Sequence, residues 1–235
     1  MRRWVAIGWV LLLVPVMAPA QERTPPQPRT KGIESPDYVW NEMQGEKLQA
    51  LGAKGDAVRG EIAFEVCQGC HRNKALGRED GKYPRLAGQH ASVLIKQMTD
   101  VRAGRRDNSR MFPFANEHVL GPQDIADVAV YLQGLPSTPD NGKGPGADLA
   151  RGKAAYLKDC AECHGERGEG HGPGFQPRLS GQHYRYLVHE GRAIRDGERR
   201  NADPKMVEAI RGYTDADLDA VLDYVSRLKA VQGGR

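Results

Sequence analysis

Cys67-Gln68-Gly69-Cys70-His71 and Cys160-Ala161-Glu162-Cys163-His164 are one five-residue device used twice, and they take up all four cysteines of the 235-residue chain. C-x-x-C-H is the pattern of covalent c-type haem attachment. Two thiols one helical turn apart add to the vinyl groups of one porphyrin, and the histidine is carried under the iron. A structural zinc site needs four ligands from neighbouring knuckles, whereas these pairs sit at 67–70 and 160–163, each with its own histidine. A thioredoxin-like motif needs a βαβ setting, and no strand pattern flanks either copy. Two haems are expected, one on Cys67 and Cys70, the other on Cys160 and Cys163.

The first twenty residues read as a secretory signal. Arg2 and Arg3 form the charged start, Trp4 to Val16 the apolar run, and Ala18-Pro19-Ala20 the cleavage site. The run is short for a membrane span and Pro15 interrupts it. Cleavage near Ala20 and a periplasmic location are therefore expected, the compartment in which bacterial c-type attachment occurs. An uncleaved signal or a redox partner would be the routes to a membrane.

Charge selects no partner. The formal balance is +4, which loss of Arg2 and Arg3 reduces and haem propionates would reverse. Aromatics make up only 6% of the chain, too few for a base-stacking surface, so nucleic acid is excluded as a partner class.

The second half repeats the first. Arg59-Gly60 corresponds to Arg151-Gly152, and Pro84-Arg85-Leu86-Ala87-Gly88-Gln89-His90 to Pro177-Arg178-Leu179-Ser180-Gly181-Gln182-His183. Arg102-Ala103-Gly104 falls on Arg195-Asp196-Gly197, and Asp124 and Tyr131 on Asp217 and Tyr224. Two copies mean duplicated domains rather than a solenoid. The turn-rich stretch 136–147 separates a first domain, 57–135, from a second, 148–235. Each is small for a self-sufficient core, and a covalently held porphyrin would supply the missing apolar bulk.

Helical spacing is plain over 122–134, with Pro122 in the first turn and Ile125, Val128, Ala129 and Leu132 on one face. It recurs over 215–229, behind Thr214 as N-cap. Helices also fit 57–67, 90–103, 150–161 and 183–194, and nothing demands a sheet, so the fold class is all-α. Residues 21–56 have no repeat counterpart. They read as a flexible, proline-rich leader with one helix over 38–51, whose Val39, Met43, Leu48 and Leu51 are free to pack on a domain.

His71 and His164 are the expected fifth ligands. For the sixth, the first domain offers Met98, Met111, His90 and His118. Met98 lies among Leu94, Ile95 and Val101 of a helix and suits the core, whereas Met111 follows an irregular polar loop able to bend over the distal face. Met206 is the only methionine after the second motif and has the same setting. Met111 and Met206 are assigned as ligands, with His118 as the alternative to Met111. His90 and His183 recur where a helix begins and read as capping or surface residues, and His118, His171 and His189 as solvent-exposed.

Over about residues 55–230 the chain resembles a dihaem cytochrome c of the c-four subclass, within the class I cytochromes c. The likeness rests on both C-x-x-C-H motifs, both P-R-L-[AS]-G-Q segments, the Arg/Gly/Asn-bearing loops before Met111 and Met206, and the closing helices with Tyr131 and Tyr224. It implies two tandem helical domains related by a pseudo-twofold axis, haems close enough to exchange electrons, and His/Met ligation of each iron. It also implies that the carbonyls of Pro84 and Pro177 accept hydrogen bonds from His71 and His164. The leader is longer than is usual in that family. The loop 71–84 lacks the glycines of His164-Gly165-Glu166-Arg167-Gly168-Glu169-Gly170-His171-Gly172, so unequal haem environments are expected.

The function expected is periplasmic electron transfer without catalysis. Single electrons would pass between respiratory or dehydrogenase partners and a terminal oxidase or reductase. The alternatives are a dihaem subunit fixed in a membrane redox complex and a dihaem enzyme. A peroxidase would need an iron that opens to peroxide, and a thiosulfate dehydrogenase a cysteine ligand for which no spare cysteine exists.

Overall fold

The six helices predicted within the two halves are all present in a computed structural model that describes residues 25–229. The expected signal peptide, with its cleavage near Ala20, lies outside the described residues. In chain order the helices are α1 (Gly45–Gly52), α2 (Ala57–Phe64), α3 (Gln68–His71), α4 (Ala91–Arg102), α5 (Phe112–Ala115) and α6 (Pro122–Gly134), then α7 (Leu149–Asp159), α8 (Ala161–His164), α9 (Tyr184–Arg195), α10 (Pro204–Ile210) and α11 (Asp215–Ser226). The described residues contain no strand, only an isolated bridge between His171 and Gln176.

The repeated residues explain how one packing scheme is built twice. α2 lies on α6 and α7 on α11. Gly60 and Gly152 sit where these pairs approach most closely: a Cβ would lie 2.1 Å from the Asp127 carbonyl oxygen and 2.1 Å from that of Ala220. Beside each glycine an aromatic pair closes the contact, Phe64 with Tyr131 at 5.8 Å and Tyr156 with Tyr224 at 5.7 Å between ring centroids. Asp124 and Asp217 each accept the backbone N–H three residues earlier, from Gly121 and Thr214 at 2.8 and 2.9 Å, fixing the start of the closing helices.

The domains meet through the P-R-L-x-G-Q segments. The Gln182 side chain accepts the Arg85 N–H and donates to the Arg85 carbonyl, both at 2.9 Å. Gln89 does the same to Arg178, at 2.9 and 3.0 Å. The Arg178 guanidinium donates to the Gly88 carbonyl, and that of Arg85 reaches Thr138 and Asp140 in the linker.

The leader makes specific contacts with both domains. Gln27 donates to the Val101 and Arg106 carbonyls and accepts the Asn108 N–H. Arg200 reaches Thr30 and Glu34, and the Tyr38 hydroxyl donates to the Ala202 carbonyl. The leader helix is shorter than the 38–51 predicted. It starts at Gly45, whose φ of +54° interrupts any helix entering from the N-terminal side. Val39, Met43 and Leu48 consequently stay exposed. Leu51 packs on the first core as expected, beside buried Ala50. Lys47 also turns inward to pair with buried Asp100 at 3.3 Å.

Candidate functional site

Each C-x-x-C-H motif forms a single helical turn placed where the first helix of its domain ends. Cys67 closes a 3₁₀ turn running on from α2, and α3 carries Cys70 and His71. Cys160 precedes α8, which carries Cys163 and His164, and its carbonyl accepts the N–H groups of both at 3.2 and 3.0 Å. No disulfide joins any of the four cysteines, which leaves both pairs available for attachment. Before a haem is attached, burial pushes the Cys67 thiol up to about 11 and the Cys160 thiol up to about 12.

The two imidazoles are held alike. His71 Nδ1 donates to the Pro84 carbonyl at 3.1 Å and His164 Nδ1 to that of Pro177 at 3.0 Å. Because a carbonyl only accepts, Nδ1 carries the proton and Nε2 keeps its lone pair. Burial lowers both histidine pKa values, opposed by the proline hydrogen bond. Both rings are therefore neutral, the form that binds a metal.

Gly77 and Gly170 make this contact possible. At φ +69° and +71°, they lie so close to the prolines that a Cβ would meet the Pro84 carbonyl carbon at 2.5 Å and that of Pro177 at 2.6 Å. The loops close further through Leu86 N–H to Ala75 and Leu179 N–H to Gly168, both 2.8 Å. Their flanks differ: Tyr83 stands edge-on to His71 at 6.1 Å, and Gln176 occupies the matching place in the second domain.

Met111 caps α5 and its N–H donates to the Asn108 side chain at 3.1 Å. It packs, half-buried, against the same core that Cys67 adjoins. Met206 lies in α10 beyond Pro204, packed against Ile194, Ala202, Ile210 and Leu218. Met98 is buried within the first core. His118, His171 and His189 are exposed.

His90 and His183 do begin α4 and α9, but their side chains cap nothing. Each instead reaches the other domain: His90 Nε2 to the Glu169 carbonyl at 2.8 Å, and His183 Nε2 to that of Leu76 at 2.7 Å. His183 is 2% exposed, which replaces the surface reading with an interdomain one. Gln89, Gln182, Arg85 and Arg178 were quoted from the sequence only as a repeat. Their role across the interface needs both domains in place.

The residues fit a haem in each domain. Paired thiols and a neutral imidazole with a free Nε2 are the donor set that the attachment chemistry demands. In the second domain Cys160 adjoins one apolar cluster and Met206 another, with Tyr213 and Leu222 touching both, an arrangement suited to flanking a flat apolar group. The buried Nε atoms of Arg85 and Arg178 have no partner among the described residues, and they suit a carboxylate such as a propionate.

The family profile described as Cytochrome c matches residues 57–136 and 149–229. A thiosulfate dehydrogenase electron acceptor from Stutzerimonas stutzeri is 32% identical over 203 residues, 81% of this chain and 89% of that protein. Cytochrome c4 of Pseudomonas aeruginosa is 32% identical over 185 residues, 75% of this chain and 90% of that one. The crystal structure of reduced cytochrome c4 from Pseudomonas stutzeri superposes with a TM-score of 0.67 at 26% identity, covering 74% of this chain and all of that one. With two tandem domains, each built to hold one covalent c-type haem, this chain belongs to the cytochrome c family as a dihaem electron-transfer protein of the c4 type.

Proposed function

We propose that this chain is a periplasmic electron carrier in which Cys67 and Cys70, and Cys160 and Cys163, hold the two haems. His71 and Met111 would ligate one iron, His164 and Met206 the other. When bound, each haem supplies a one-electron couple at iron. The chain does the rest by holding geometry. Pro84 and Pro177 fix the imidazole orientation, and Met111 and Met206 on their packed loops would each supply a neutral thioether. Such a closed ligand set favours transfer of charge over binding of substrate.

The observation that carries this reading is the reciprocal arrangement of the imidazole supports. The residue after each accepting proline is gripped by the other domain, Arg85 by Gln182 and Arg178 by Gln89. The two histidine sides are thereby joined back to back through short hydrogen-bonded paths, as passage of an electron between domains requires.

Redox proteins are the proposed partners, with an exported dehydrogenase as donor class by likeness to the electron acceptor of Stutzerimonas stutzeri. No helix of the described residues is long and apolar enough to cross a membrane, and the export signal at 1–20 supports a periplasmic carrier. The absence of a fifth cysteine opposes a thiosulfate dehydrogenase reading of this chain, and a methionine ligand at each iron would oppose a peroxidase.

The test is a redox titration of the holoprotein with haem quantification. Two haems per chain are expected, both with the methionine-to-ferric-iron absorption band and neither reacting with peroxide. Met111→Ala and Met206→Ala should each remove that band from one haem. Retention of the band on both haems in either variant would overturn the ligand assignment, and rapid peroxide turnover would overturn the carrier.

A further inference from the structure

Four side chains meet across the domain interface on the side of the two methionine loops. Arg106, in the loop between α4 and α5, donates to Glu190 at 3.0 Å and to Gln97 at 2.9 Å. Arg199, in the loop between α9 and α10, donates to Glu190 at 2.8 Å and to Gln97 at 3.2 Å. These are two pairs of repeat-related positions. Arg106 and Arg199 correspond, as do Gln97 on α4 and Glu190 on α9, at the same displacement that relates Pro84 to Pro177. The quartet therefore lies on the pseudo-twofold relation between the domains.

One member breaks the symmetry. Glutamate stands at 190 where glutamine stands at 97, so one carboxylate serves two guanidinium groups. Glu190 and the two arginines are largely buried, with side chains 14 to 18% exposed, and exposed His189 adds a contact to Glu190 at 3.6 Å. The two arginines hold the Glu190 carboxyl well below the usual carboxylate range against the cost of its burial, and Tyr186 adds a contact to Arg106 at 3.1 Å. Asn201 extends the network from the second loop to Gln97 and Asp100 of the first domain, at 3.1 and 2.9 Å. Arg200 ties the same loop to Asp107 at 3.2 Å and to Gly104 at 3.0 Å.

Arg106 precedes Met111 by five residues and Arg199 precedes Met206 by seven. We propose that Glu190 is a positioning residue for both irons: it clamps the two loops that carry Met111 and Met206 into one unit, so that the hold of each methionine depends on a contact shared with the other domain. The proposal rests on the ligand reading given above. A carboxylate shared by two loops links their opening, because releasing it frees both together. Gln97 lacks the charge to replace it.

The test uses ferric holoprotein and imidazole as the competing ligand. Displacement of each methionine is followed by its paramagnetically shifted methyl signal, the two signals being assigned with Met111→Ala and Met206→Ala. Glu190→Gln should raise the displacement rate at both irons by about tenfold, the order expected for loss of a charged hydrogen bond. Glu190→Asp should recover part of that loss. Arg106→Gln should speed displacement at the first iron and leave the second near wild type, because the Arg199–Glu190 pair remains. A merely local role for Glu190 in the second domain predicts acceleration at the second iron alone, and that result or no acceleration would overturn the proposal. If Glu190→Gln does not mature, Arg106→Gln and Arg199→Gln decide: each must accelerate its own iron. Survival of both methyl signals in Met111→Ala would instead overturn the ligand reading, and the proposal with it.

Discussion

Arg72 and Gly165 adopt the same backbone conformation, φ 68° and ψ 162° against φ 78° and ψ 154°, immediately after the two haem-motif histidines. Three residues further on, Ala75 at φ 54° matches Gly168 at φ 68°. The first loop thus follows the path of the second without the glycines that make it easy. Arg72 lies in a region that only glycine enters freely, at a cost of order 1–3 kcal/mol. Arg72→Gly should stabilise the holoprotein by about 1 kcal/mol, read as a higher urea midpoint with unchanged slope. An unchanged or lower midpoint would show that the loop is not strained there.

The glutamine clamps lead to a prediction about the interface. Gln182→Leu would leave both backbone groups of Arg85 without partners, and Arg85 is 4% exposed. A buried unsatisfied polar group costs about 1–3 kcal/mol, so a loss on the order of 3 kcal/mol is expected by denaturant unfolding. Gln89→Leu should cost less, because Gln89 is only half-buried.

Close helix approach makes Gly60 and Gly152 intolerant of any side chain. Gly152→Ala would force a methyl to 2.1 Å from the Ala220 carbonyl oxygen, so α7 and α11 must separate. Overpacking of this kind costs about 1–3 kcal/mol, and Gly60→Ala should behave alike between α2 and α6. Calorimetry should record a lower Tm for both, and equal Tm values with wild type would contradict the packing scheme.

His183 makes the interface sensitive to acid. Its Nδ1 accepts the Gly142 N–H at 3.0 Å while Nε2 donates to Leu76, an arrangement only the neutral ring allows. Burial lowers its pKa, opposed by the Leu76 hydrogen bond; nearby Arg85 lowers it further, and Glu79 and Asp80 raise it. Above the unfolded value of about 6.5 both folded and unfolded forms are neutral. As pH falls below that value the unfolded chain binds the proton first, so stability declines until the folded ring also protonates. His183→Gln should flatten part of this decline in a pH series of urea midpoints. His90, also lowered by burial, accounts for a further part.

The sequence was most legible where a local rule applies. Residues 122–134 carry their helix period and starting proline in place, and Thr214 announces α11, capping it through the Asp217 N–H at 3.2 Å. The C-x-x-C-H motifs were equally readable, because the attachment chemistry fixes residue type and spacing within one turn. The leader was least legible. Its apolar residues suggested a packing face, yet of these only Leu51 packs inward, beside Ala50 and a buried Lys47 whose partner Asp100 is remote in sequence.

By itself the sequence determined two helical units, each with paired thiols and a following histidine, because periodicity and motif spacing are properties of neighbouring residues. Tertiary structure decided which side chains join the units. His183 reads as a surface helix start and is buried against Leu76, Gln182 grips Arg85, and Glu190 receives arginines from both methionine loops. These are pairings of groups distant in sequence, and a buried hydrogen bond or ion pair has no signature until burial removes water as the competing partner.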